Sequence, residues 1–312
     1  MKRITIIMII TVITVILPSA VRAAEKLSTT AIPPRLEIDT LPGATIQESL
    51  RIRNETGTDQ AYKVVVTDFI VTGNQGTPIP VDETVSGRWS LASWTSVSPK
   101  QILVAAGAAQ SLDLIVSVPS SALPGGHYAM VTYSPVVEGK LVPGTGAQIS
   151  PQVGSLIYLK VIGDVTEAVN LKEFKADNKF KHYGPTQIMA EIENLGDIHV
   201  RPAGKLTVTN WLGDETYSAE LEEKNIFPFA SRTYDWTVSG KWRLGRYAAR
   251  LTAQAGEAAI PLTGLIYFLI VPVKELGLIA GALIVIIVLV WLKKRRQNFP
   301  PDALVTEEPR LH

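Results

Sequence analysis

The chain has 312 residues, no cysteine, and 30 basic against 29 acidic residues, for a formal net charge of +1. The missing thiols exclude disulfide staples, thiolate metal sites and a cysteine nucleophile, and the balanced charge offers no basic surface for nucleic acid. Such a chain must rely on hydrophobic cores of ordinary domain size.

Met1, Lys2 and Arg3 precede an apolar run over 4–17 and small residues over 18–23. This pattern predicts a secretory signal over 1–23, cleaved after Ala23 or kept as an uncleaved anchor. About 240 residues then lead to a second apolar run, room for two domains of roughly 100–140 residues each. The first, 24–163, reads as strands throughout. Alternation over 45–54, β-branched and aromatic residues over 61–71, and the segments 102–104, 111–118, 127–137 and 155–162 are separated by turns rich in glycine and proline. The stretch 73–87, with three glycines and two prolines, reads as loop. After a boundary at Gly163-Asp164, strand patterns recur over 169–174, 187–193, 204–209, 229–236, 245–253 and 265–271 in a second unit, 164–273. The expected fold class is all-β, two immunoglobulin-like β-sandwiches followed by one C-terminal transmembrane helix.

That helix is expected over 274–296. Residues 276–292 form an uncharged run of about 17 residues, at the short end of a membrane span. Trp291 stands at an interfacial position and Lys293, Lys294, Arg295 and Arg296 form a basic stop. The positive-inside rule then places the tail 297–312 in the cytoplasm and the sandwiches outside, a single-pass protein of the cell membrane.

Chemistry is sparse. His127, His182 and His199 lie far apart without metal-ligand spacing, and His312 is in the tail. Asp68, Asp113 and Asp197 belong to no catalytic pattern, and no nucleophile elbow or phosphate loop occurs. No catalytic, cofactor-binding or metal residue is expected, and no enzyme. Asn54-Glu55-Thr56 matches a glycosylation acceptor, a triplet common by chance. Trp89 and Trp94, in a polar stretch, are read either as plugs for one end of the first sandwich or as a contact for a partner or the cell wall. Trp211, Tyr234, Trp236 and Trp242 read mainly as core and corner residues. Binding through surfaces and open strand edges is what remains.

The segments LRIRNETGTDQAYKVVV (50–66), SVSPKQILVAAGAAQSLDLIVSVPSSALPGGHYAMVTY (96–133) and GSLIYLKVIG (154–163) resemble the peptidoglycan-binding domain of the WxL-interacting surface proteins of Gram-positive bacteria. EIENLGDIHVRPAGKLTVTNWLG (191–213) resembles the partner-binding domain that follows it there. The resemblance implies a membrane-anchored surface scaffold that attaches to cell-wall peptidoglycan, to a secreted surface protein, or to both. Pilus-chaperone-like sandwiches share the same strand-and-turn pattern. The alternative is therefore an assembly or secretion factor presenting an edge strand to exported clients.

Overall fold

A computed structural model describes residues 29–81, 83–136, 153–178, 180–182, 185–239 and 244–297. The expected signal over 1–23, the loop 137–151, Trp242 and nearly all of the tail lie outside the described residues.

Ten strands build the first sandwich. One sheet has the order β1 (Thr29–Ile32), β3 (Thr45–Asn54), β8 (Ala109–Ser117) and β6 (Thr95–Ser98). The other runs β2 (Arg35–Thr40), β10 (Val153–Val161), β9 (Gly125–Pro135), β4 (Gln60–Val71) and β5 (Pro78–Val81), with β7 (Gln101–Val104) also on β4. Alternate residues face inward, as period-2 sequences require. Leu50 and Ile52 of β3, with Leu112, Leu114 and Val116 of β8, meet Ala129, Val131 and Tyr133 of β9 and Ile157, Leu159 and Val161 of β10. Each such large aliphatic side chain stabilises the fold by roughly 1.5–3 kcal/mol on full burial.

The second sandwich pairs a sheet of β11 (Val169–Ala176), β13 (Thr186–Asn194) and β16 (Ser231–Val238) with one of β12 (Phe180–Lys181), β18 (Ile260–Ile270), β17 (Gly245–Ala255), β14 (Ala203–Thr209) and β15 (Glu215–Glu220). Its core holds Ile188, Ile192, Leu206, Val208, Trp236, Leu251 and Phe268. Helix α1 (Glu83–Ser86) is a single turn, and α2 (Val273–Gln297) runs for 25 residues. The architecture is mostly β, two immunoglobulin-like sandwiches with a single C-terminal helix.

The two sandwiches share a local device. Asn54, ending β3, is fully buried; its amide nitrogen donates to the Thr58 carbonyl at 2.7 Å and the Val104 carbonyl at 3.1 Å. Its oxygen accepts from the Thr56 N–H at 3.0 Å and the Thr56 hydroxyl at 2.6 Å. Asn194, ending β13, repeats the pattern with the Ile198 and Ile226 carbonyls and the Gly196 N–H. The Asn54 amide is therefore closed to glycosylation.

Two readings of local structure change. Residues 78–81 form a strand where loop was expected, because an edge strand tolerates Pro78 and Pro80 and leaves the N–H groups of Ile79 and Val81 for the ladder with β4. Trp211 is not core: it is 66 % exposed at the β14–β15 turn. Tyr234 and Trp236 are buried in the second core, as read.

Candidate functional site

Strand β9 is buried on both faces from Gly125 to Tyr133. One face closes its own sandwich; the other, with β10 and β4, carries Tyr128, Met130, Tyr158 and Phe69 toward the second sandwich. There Phe227 enters the group edge-on, its ring centroid 5.4 Å from Phe69, 4.9 Å from Tyr128 and 5.2 Å from Tyr158. Edge-to-face aromatic pairs contribute about 0.5–1.5 kcal/mol each beyond area burial. This third cluster belongs to neither sandwich alone.

Polar contacts surround it. The Tyr128 hydroxyl accepts the His199 backbone N–H at 2.8 Å and lies within hydrogen-bond distance, 3.2 Å, of the ring Nδ1 of the same histidine. Arg88 reaches the Asp197 carboxylate at 2.9 Å, and Gly126 N–H donates to the Asp197 carbonyl at 3.1 Å. Arg201 donates to Glu37 at 2.7 Å and to Asn225 at 2.9 Å, while Arg35 also pairs with Glu37 at 2.8 Å. Lys160 pairs with Glu257. On the opposite side Thr233 N–H donates to the Asn74 carbonyl at 3.1 Å and Arg232 donates to the Gln75 carbonyl. The partly exposed ion pairs add little individually; together with the aromatic cluster they hold the two sandwiches in one relative orientation.

Beside the cluster, between the sandwiches, opens a cleft of about 360 Å³ lined by Glu37, Asp39, Lys160, Glu167, His199 and Arg201, among others. Its wall on the first sandwich is β2, an edge strand. β2 pairs with β10 in parallel, with Leu156 N–H donating to the Pro34 carbonyl and Ile162 N–H to the Thr40 carbonyl. Alternation in a parallel ladder directs the backbones of Leu36 and Ile38 to β10 and those of Arg35, Glu37 and Asp39 away from it. Among the described residues these three outward backbones have no main-chain partner. β2 also covers only Leu156–Val161 of β10, so Val153, Gly154 and Ser155 extend beyond it.

Burial lowers the His199 pKa to about 4, from an ordinary value of 6.5; burial likewise raises that of Tyr128. The unfolded chain then binds more protons than the folded one between these two values. The stabilisation is complete above about pH 6.5 and is lost as pH falls toward 4, by roughly 3 kcal/mol. Urea midpoints at pH 7 and pH 4.5 are expected to differ by less in His199→Gln than in the unaltered protein. Equal differences in the two proteins would disprove this role.

The two tryptophans singled out from the sequence take separate places. Trp94 packs against the first core with its ring 4.4 Å from the buried His127 imidazole. Trp89 lies edge-on to Phe229 of the second sandwich at 5.7 Å. They share no single surface. Asp113 is on the exposed face of β8, whereas Asp68, Asp197 and His199, which had no expected role, are structural contacts. A signal for the interface was present: 127–133 (HYAMVTY) carries apolar or aromatic residues on both parities, as a strand covered on both faces does.

Among the described residues no three His, Cys, Asp or Glu side chains are grouped to hold a metal ion.

No family model matches the chain, and no curated protein matches it. Solved structures do align. The class 5 fimbriae chaperone CfaA is 14% identical, covering 76% of this chain and 98% of its own, with a TM-score of 0.39. The CupB2 chaperone of Pseudomonas aeruginosa is 12% identical over 76% and 98%, with a TM-score of 0.35. The periplasmic chaperone SfaE is 10% identical over 78% and 100%, with a TM-score of 0.34. The narrower WxL-interacting resemblance has no matching family model behind it.

These findings correct the sequence reading. A membrane-anchored scaffold of the cell surface that binds wall peptidoglycan, single-pass with a cytoplasmic C-terminus, is not supported by the comparisons: no family model matches, and the structures that align are described as fimbrial chaperones, one of them periplasmic. Peptidoglycan and the lipid bilayer are likewise unsupported as partners by the comparisons. The membrane reading rests on α2, on Trp291 and on the basic stop; the segment Val273–Arg295 is long and apolar enough to cross a membrane, and its apolar window packs against nothing in the rest of the described residues.

Proposed function

We propose that the protein is an assembly or secretion factor that holds an extended segment of an exported client as an added strand on β2. The observation that carries this reading is the row of outward backbone groups at Arg35, Glu37 and Asp39, the last two in the wall of the cleft between the two sandwiches. Main-chain hydrogen bonds to such an edge give affinity with little sequence demand, and side-chain contacts add selectivity. Here the second sandwich supplies those contacts through Arg201, Glu167 and Glu257 on the opposite wall. A fixed angle between the sandwiches keeps the two walls in register, which is what the aromatic cluster provides. In this reading 1–23 is the export signal, and 24–163 and 164–273 are two structural units acting as one clamp.

Glu37→Pro tests it. Proline removes an N–H that points away from β10, so an edge strand tolerates it. Client capture from the exported protein fraction is expected to fall about tenfold, the equivalent of one hydrogen bond, roughly 1.4 kcal/mol. Melting should change little. In the unaltered protein, amide exchange at Glu37 and Asp39 should slow on client binding. Unchanged capture by Glu37→Pro, or slowed exchange only along another edge, would refute the assignment to β2.

A further inference from the structure

The two outer faces of the second sandwich differ in kind. On β11, β13 and β16 charges of both signs alternate and pair, as in Lys172 with Glu191 at 2.9 Å and Lys175 with Glu173 at 2.7 Å. That is a solvated face. On the other sheet the three adjacent strands β14, β17 and β18 contain Lys205, Arg246 and Arg250 and no acidic residue at all. Among the described residues none of these three cations is paired with a carboxylate.

Apolar groups stand between them. Register places Arg246 opposite Leu269, Ala248 opposite Tyr267 and Arg250 opposite Leu265, all on the outward parity. Leu265 is 43% and Tyr267 49% exposed, in mid-strand rather than in a loop. The Arg246 guanidinium lies over the Tyr267 ring at 4.4 Å, a contact that leaves its N–H groups available. Phe180, 74% exposed, continues the apolar row beside Leu269.

We infer that this face of β14, β17 and β18 is a docking surface for an acidic amphipathic segment of a partner protein. Aromatic anchors and arginine are the residue types that dominate protein interfaces, and unpaired cations among apolar side chains call for carboxylates among apolar side chains. Width argues for a single segment. Three strands spaced about 4.8 Å apart span roughly 10–14 Å, the diameter of one helix. Glu215 and Glu220 on the neighbouring edge strand β15 form an acidic rim. A broad anionic surface would meet that rim, whereas one helix or strand fits inside it. The surface is separate from the β2 cleft and does not depend on the strand-capture reading.

The test uses the full-length chain and three fluorescein-labelled 18-residue synthetic peptides. Each is helical with leucine on one face, flanked by glutamate, glutamine or lysine. Fluorescence anisotropy is expected to show saturable binding of the glutamate peptide. Arg250→Glu should weaken it at least tenfold and improve binding of the lysine peptide, and Tyr267→Thr, which keeps a residue suited to a strand, should weaken it without changing the melting curve, since both side chains are exposed. Equal binding of the glutamine peptide would overturn the inference. So would glutamate-peptide binding untouched by either substitution, or preferential binding to phosphatidylglycerol vesicles. Self-association that is abolished by Tyr267→Thr and excludes the peptide would assign the face to a second copy instead and also overturn it.

Discussion

Asp68→Ala is expected to destabilise the protein by about 4 kcal/mol, a large part of the whole stability of a typical domain. The carboxylate is 1% exposed and accepts four hydrogen bonds. Ser86 and Ser90 hydroxyls each reach Oδ2 at 2.7 Å, while the N–H groups of Leu91 and Ala92 reach Oδ1 at 2.8 and 2.7 Å. One side chain on β4 thereby ties down the segment 86–92, which carries Arg88 and Trp89 to the second sandwich. Alanine leaves four donors without their acceptor, and each unsatisfied buried group costs about 1–3 kcal/mol before relaxation. Asp68→Asn keeps one acceptor oxygen, and both serine hydroxyls can turn to accept from the new amide, so its cost should be about half or less. Urea denaturation of the two variants measures the difference. If alanine and asparagine lower the midpoint equally, or alanine by less than about 1 kcal/mol, Asp68 is not the anchor described.

Phe227→Ala is expected to cost roughly 3–4 kcal/mol, within the range for removing a buried aromatic side chain. Its particular consequence is mechanical. Phe227 is the ring through which the second sandwich enters the cluster of Phe69, Tyr128 and Tyr158, whereas the two sandwich cores contain none of these residues. Calorimetry of the unaltered protein should give one cooperative transition, and that of the variant two. Small-angle scattering should show a larger radius for the variant at temperatures where both sandwiches remain folded. A single transition at an unchanged temperature would disprove the coupling. Loss of client capture together with the change in scattering would support the fixed angle as part of the clamp.

Much of the fold is written in local sequence. Period-2 alternation such as 45–54, broken by glycine and proline, determined strands, and their spacing determined sandwiches, because a strand's inward face must be apolar whatever it later meets. The absence of cysteine determined that cores rather than disulfides hold the chain. Asn54 and Asn194 each begin with a local contact, two residues on, that the sequence contains in outline.

The rest depended on groups distant in the chain. Nothing beside Asp68 in sequence announces its donors, which lie 18–24 residues away. Tyr128 and His199 are 71 residues apart and Arg201 and Glu37 164 apart, yet each pair joins the two sandwiches. The double-sided pattern of β9 recorded that something covers its second face, but only the tertiary structure decided that Phe227 does. The same holds for edges. Sequence makes a strand; whether its outer backbone is paired or open depends on which strand arrives beside it. Arg35, Glu37 and Asp39 became a candidate site because β10 lies on one side of β2 and a cleft on the other.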